Sequence, residues 1–243
     1  MLKGVSPLIS YLMVFLIVFS GIVLVLFLGM PIIERARESS IINEAWENLR
    51  LIAKNIEEVA SEGVGSLRLI SLKVIDGEYK VNEKTNSIEF YYLPKSYSLE
   101  PMILKEGNIV LISGKNAIAR EYDLDDDGEN EIVLENEFIR VGILKKGSRE
   151  NPEFINTSKL IKLINFKMND INLTPSDTSI LIDDKEESSY GYGYSEALNV
   201  NKKTGKAEAL VHLNTSYASY EILYTLYSGT DFLIIKVLNL IYK

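Results

Sequence analysis

The chain contains no cysteine. Disulfides, zinc–thiolate centres and thiol nucleophiles are therefore excluded. Histidine occurs once, at His212, so no histidine cluster can hold a transition metal. A phosphate-binding glycine loop is missing too, and Gly193-Tyr194-Ser195-Glu196-Ala197 lacks the last glycine of a nucleophile elbow. A Ser195–His212 pair would still need an orienting acid and an oxyanion hole, so an enzyme is not expected. Positive charge is in deficit, with 26 Lys+Arg against 34 Asp+Glu and a formal net charge of −8. An acidic chain repels phosphate backbones, which removes nucleic acid from the expected partners.

The most informative absence is local. From Val5 to Ile33 there is no charged residue, and the stretch is dominated by Phe, Leu, Ile and Val. About 20 apolar residues suffice for a helix to cross a bilayer, and this run is longer. In hydrocarbon a helix satisfies its own backbone. A secretory signal would have an apolar region of about 7–15 residues and a small-residue cleavage site. Here the run is too long, and Met30-Pro31-Ile32 is a poor cleavage site. Lys3 precedes the span, while Glu34, Arg35, Arg37 and Glu38 after it cancel, which favours an inside N-terminus.

The helical pattern continues beyond the span. Ile41, Ile42, Ala45, Trp46, Leu49, Ile52, Ala53, Ile56 and Val59 recur at three- and four-residue steps. The opposite face carries Glu44, Glu47, Asn48, Arg50, Lys54, Glu57 and Glu58. Gly63 and Gly65 supply a stop, since glycine accepts the left-handed cap. One helix to about Glu62 is expected, kinked at Pro31; the alternative is two helices broken at Gly29-Met30-Pro31.

Lys3-Gly4-Val5-Ser6-Pro7, followed at once by this charge-free helix, resembles the class III signal peptide of archaeal type IV pilin-like proteins. The resemblance implies cleavage between Gly4 and Val5 by a prepilin peptidase, with the apolar helix kept on the mature subunit. It implies a leader at 1–4, a membrane or filament-core helix at 5–33, an amphipathic stem at 34–62 and an extracellular head at 63–243. It also implies self-assembly, or assembly with other pilins, through the N-terminal helix. The first thirty or so residues match closely, the stem matches in character, and the head only in style. Bacterial pilins carry an early glutamate where this chain has Ile9, so their assembly rule is not transferred. The alternative is a solitary anchored module that binds a surface glycan or an abiotic surface without polymerising.

Residues 64–243 read as short strands between turns, giving an α+β chain with a sandwich-like β-rich head. Strands are expected over Leu67–Ile75, ahead of the turn pair Asp76-Gly77, at Ile88–Tyr92 and at Ile109–Ile112. Others are expected at Glu131–Leu134, Phe138–Leu144, Leu160–Met168 and Ser179–Ile182. Ala207, Ala209, Val211 and Leu213 share one strand face, and Tyr220, Ile222, Tyr224 and Leu226 share another. Phe232–Ile241 reads as a central strand. Asn151–Ser158 and Asp183–Tyr194 read as long loops, and Gly191-Tyr192-Gly193-Tyr194-Ser195 as an aromatic loop.

Asp123, Asp125, Asp127, Glu129 and Glu131, with Gly128 among them, place acidic oxygens at alternate positions around a turn. That pattern suits a hard cation such as calcium in a structural role. It matches the first half of an EF-hand loop, but the twelfth position is Leu134. A solvated acidic turn is the plainer alternative. Asn156, Asn172 and Asn214 each open an N-glycosylation sequon, and Pro175 follows the second.

Overall fold

The computed structural model describes residues 7–95, 101–125, 127–176 and 178–243. A single helix, α1 (Pro7–Glu62), runs 56 residues and contains Pro31 without breaking. At about 1.5 Å per residue such a rod spans about 84 Å. Proline at the start fits, because a first-turn N–H has no helical partner. Gly63 and Gly65 adopt φ of +93° and +98°, the left-handed geometry that ends a helix.

Among the described residues fourteen strands follow: β1 (Glu78–Asn82), β2 (Ser87–Tyr92), β3 (Met102–Glu106), β4 (Ile109–Ser113), β5 (Ile118–Tyr122), β6 (Glu131–Glu135), β7 (Ile139–Leu144), β8 (Glu153–Asn156), β9 (Ile161–Phe166), β10 (Ile171–Leu173), β11 (Tyr190–Leu198), β12 (Lys206–Thr215), β13 (Ala218–Tyr227) and β14 (Ile234–Tyr242). They form three sheets, ordered β1-β2-β4-β3, β10-β9-β7-β6-β5 and β14-β13-β12-β11-β8. All pairings are antiparallel except β2 with β4. The chain is thus α+β, with one long apolar helix followed by a β-rich region.

The first sheet rests on α1. Ile41, Ile42, Ala45 and Leu49 pack on Phe90, Tyr92, Ile109 and Leu111. The other face of β4 presents Val110 and Ile112 to Tyr227 of β13, which joins this layer to the rest. The second and third sheets enclose the main core. Ile132, Leu134, Val141 and Ile143 meet Ala209, Val211, Tyr220, Ile222 and Tyr224. Strand alternation explains these sets, because residues two apart point to one face. Burying a side chain of this size contributes roughly 1.5–3 kcal/mol.

Polar ties lock the layers. Glu89 is buried and pairs with Lys206 at 3.2 Å. Burial works against its charge, but Lys206, Tyr91 and Asn82 outweigh that and lower its pKa. Asn136 Nδ2 donates to the carbonyls of Tyr227 at 2.7 Å and Thr230 at 2.6 Å. Glu137 accepts from Ser228 Oγ at 2.9 Å and from the Gly229 amide at 3.0 Å. These contacts fix the β6–β7 turn to the β13–β14 connection.

Several expected strands and loops come out differently. The expected strand Leu67–Ile75 does not form; the segment has no regular structure and pairs with no strand. It runs back along α1, held by Asn48 Nδ2 on the Lys73 carbonyl at 2.8 Å and by Arg68 on Glu58 at 2.7 Å. The helix supplies the partners that a neighbouring strand would have given. Asn48 is accordingly buried, although it lies on the expected polar face, while Ile56 on the expected apolar face is exposed. Gly77 does turn, at φ +98°, and a Cβ there would meet the Phe90 ring at 2.3 Å. Ser179–Ile182 forms only an isolated bridge, Ile182 with Lys185. β8 replaces half of the expected 151–158 loop, and β11 takes up the aromatic segment. β14 is an edge strand, not a central one, since it pairs with β13 alone.

Candidate functional site

The described part of α1 divides sharply. From Ile9 to Ile33 its large apolar side chains are exposed, whereas Ile41 to Leu49 are seated on the first sheet. Among the described residues it is the one helix long and apolar enough to cross a membrane. Such a helix could anchor the protein in a bilayer. Lys3, Gly4, Val5 and Ser6 of the expected processing motif lie outside the described residues, and Pro7 opens the helix.

The acidic loop joins β5 to β6. Asp123 accepts from the amides of Asp127 at 3.2 Å and Gly128 at 2.8 Å. Glu131 Oε2 accepts from the Leu124 amide at 2.8 Å. Carboxylate oxygens of Asp123, Asp125 and Glu131 lie within 4.8 Å of one another, a set that could hold a metal ion. Glu131 is wholly buried. Gly142 of β7 lies beside it; a Cβ there would crowd the Leu124 side chain at 2.9 Å and touch Glu131 at 3.5 Å.

Sequence reasoning missed the central partner of this loop, Lys162 of β9. Its Nζ lies 2.5 Å from Asp127, 3.1 Å from Glu131, 3.7 Å from Glu129 and 4.0 Å from Asp125. Burial alone would lower its pKa, but hydrogen bonds to Asp127 and Glu131 and the charges of Glu131 and Asp125 raise it. Asp127 is held below its ordinary value, first by the Lys162 hydrogen bond and then by the Glu129 amide. The available signal was a lysine interrupting the apolar run Leu160-Ile161-Lys162-Leu163-Ile164. An ammonium therefore already stands among the carboxylates where a cation was expected.

The sequon asparagines occupy three settings. Asn156 Oδ1 accepts from Ser158, from its amide at 3.0 Å and its hydroxyl at 2.8 Å. Asn172 Oδ1 on edge strand β10 accepts from Asn165 Nδ2 at 2.8 Å. Asn214, near the end of β12, is exposed and its side chain has no hydrogen bond among the described residues.

Ser195 is buried, donates to the Leu144 carbonyl at 3.0 Å and accepts from the Lys146 amide at 2.8 Å. It pairs across the sheet with Val211, so His212 points to the opposite face and no Ser195–His212 dyad forms. His212 instead sits between Glu196 at 3.2 Å and Glu221 at 3.0 Å, with Tyr194 stacked 4.3 Å away. Comparison with family models, with curated proteins and with solved structures finds no match.

Proposed function

We propose that this chain is a pilin-like structural subunit: a membrane-anchored precursor, cut after Gly4, that assembles into a type IV pilus-type surface filament and holds its head outside the cell. The observation that carries this reading is α1 itself. One unbroken helix has a charge-free, uncovered half and a half seated in the head, so anchor and head form one continuous element. Helices in lipid gain no hydrophobic energy from meeting one another. Once withdrawn from lipid, the same surface must be buried, at roughly 25 cal/mol per Å2, and neighbouring copies supply the cover. The Lys3-Gly4-Val5-Ser6-Pro7 motif ahead of the helix supports the same reading. The role is structural and not catalytic, with adhesion through the head as a minor or tip subunit.

The test is the intact mass of the protein from its native membrane or filament fraction, together with electron microscopy using antibody to the head. Loss of Met1–Gly4 and labelled filaments are expected. An uncut chain with diffuse labelling would replace the reading with a solitary anchored binding module.

Within this reading the acidic loop takes a calcium ion on Asp123, Asp125 and Glu131, in competition with Lys162 Nζ. Its mutually close oxygens support that assignment. Calcium titration of the metal-free protein is expected to raise its melting temperature. An unchanged melting temperature at millimolar calcium would remove the ion and leave Lys162, with Lys146 on Glu129, as the loop's counter-charges.

A further inference from the structure

The outer face of the third sheet carries an aromatic row that none of the described residues covers. Along β11, Tyr190 and Tyr192 are exposed and Tyr194 is half-exposed, while Gly191, Gly193 and Ser195 face inward. Register extends the row sideways. Phe154 of β8 lies opposite Tyr192, Asn214 of β12 lies on the other side of it, Ser219 of β13 follows, and Ile241 of β14 ends the line. Phe154 meets Tyr192 edge-on at 6.0 Å. Phe154, Tyr192 and Ile241 are 56%, 62% and 65% exposed, a grouping that calls for an occupant.

The residue at the centre of that row is the free sequon asparagine. Ser219 is small, so a depression of about 320 Å³ opens there, lined by Tyr192, Tyr194, His212, Asn214, Glu221 and Ile241. That volume lies at the small end of ligand sites. Directly opposed strand residues hold their Cβ atoms about 5 Å apart, so a sugar joined to Asn214 Nδ2 arrives over the Tyr192 ring. Sugar C–H groups are slightly positive and suit the negative face of an aromatic ring. His212, Glu221 and Asn239 line the same depression and are bonded to one another, His212 to Glu221 at 3.0 Å and Asn239 to Glu221 at 2.8 Å, which makes its floor polar. The other two sequons are less suited. Asn156 is tied to both the amide and the hydroxyl of Ser158, and Asn172 is bonded to Asn165 and followed closely by Pro175.

We infer that Asn214 carries an N-linked glycan whose first sugar packs on Tyr192 and covers the aromatic row. The inference rests on the outside placement of the head proposed above. In the modification, a glycosyl phosphate donor gives up its sugar. The C1–O bond breaks with its electron pair leaving on phosphate, the C1–Nδ2 bond forms, and the amide loses one proton.

Peptide mass spectrometry of the protein from its native membrane tests the first half. A glycan mass on the Asn214 peptide is expected, and a bare Asn214 would overturn the inference. Thermal unfolding of protein made in the native host tests the second half. Asn214→Gln is expected to lower Tm by about 2–4 °C when Tyr192 is present, and to change nothing in a Tyr192→Ser background. An equal effect in both backgrounds would overturn the packing, as would capture of added oligosaccharide by an unmodified Asn214 protein. Filaments with bare Asn214 would sink this inference alone. A modified Asn214 on a protein that never polymerises would sink only the filament.

Discussion

Leu49 is fully buried between α1 and the first sheet, whereas Leu69 is fully exposed on the irregular segment beside the same helix. Leu49→Ala is expected to cost about 2–5 kcal/mol in denaturant unfolding of the detergent-solubilised chain, and Leu69→Ser less than about 0.5 kcal/mol. Lys162 gives a sharper test. Its replacement by Met leaves buried Glu131 without its ammonium, and a loss of about 3 kcal/mol is expected by the same measurement. Stability unchanged in Lys162→Met would mean that the loop's own amides satisfy the carboxylates. The acidic side of this site was legible as alternate Asp and Glu positions. Lys162 was not, because it comes from a different strand and only the β7–β9 pairing brings it under the loop.

At the scale of elements, α1 was readable almost whole, since hydropathy and three- and four-residue periodicity are properties of neighbouring residues. Pro31 did not end it. The missing hydrogen bond and ring clash cost about 3 kcal/mol, a penalty that one helical run of this length can absorb. Residues 66–75 and β14 were misjudged for a shared reason: a strand's partners are not written in the strand. Asn48 replaces a strand neighbour for the first segment. Asn48→Ala is expected to cost about 1–3 kcal/mol and to speed amide exchange over residues 66–75, while β13 amides stay protected. For β14, Ile235→Lys is expected to change stability by less than about 0.5 kcal/mol, whereas Ile222→Ala in buried β13 costs about 2–5 kcal/mol. A large loss from Ile235→Lys would mean that the outer edge of β14 is covered in solution.

For the molecule as a whole, acid is expected to loosen the layers. Glu89, Glu135 and Glu137 each feel burial first, which opposes their charge. Lys206 at Glu89, Lys167 at Glu135 and the Gly229 amide at Glu137 reverse that balance and hold all three pKa values below 4.5. A lowered folded value means that the contribution is fully present above pH 4.5 and fades as the pH falls through the lower folded values. Melting temperature should therefore hold near neutrality and drop below pH 4.5, with Glu89→Gln already lower at pH 7 and flatter toward acid. The sequence by itself determined the long helix with its charge-free first half, the β-rich character of the rest and the inward residues of β12 and β13, because each is set by hydropathy or periodicity within one short segment. Tertiary structure alone decided that β14 lies at an edge, that Lys162 enters the acidic loop, and that Asn214 stands beside Tyr192. Those are pairings between distant segments, chosen by which faces and edges the packed sheets leave open.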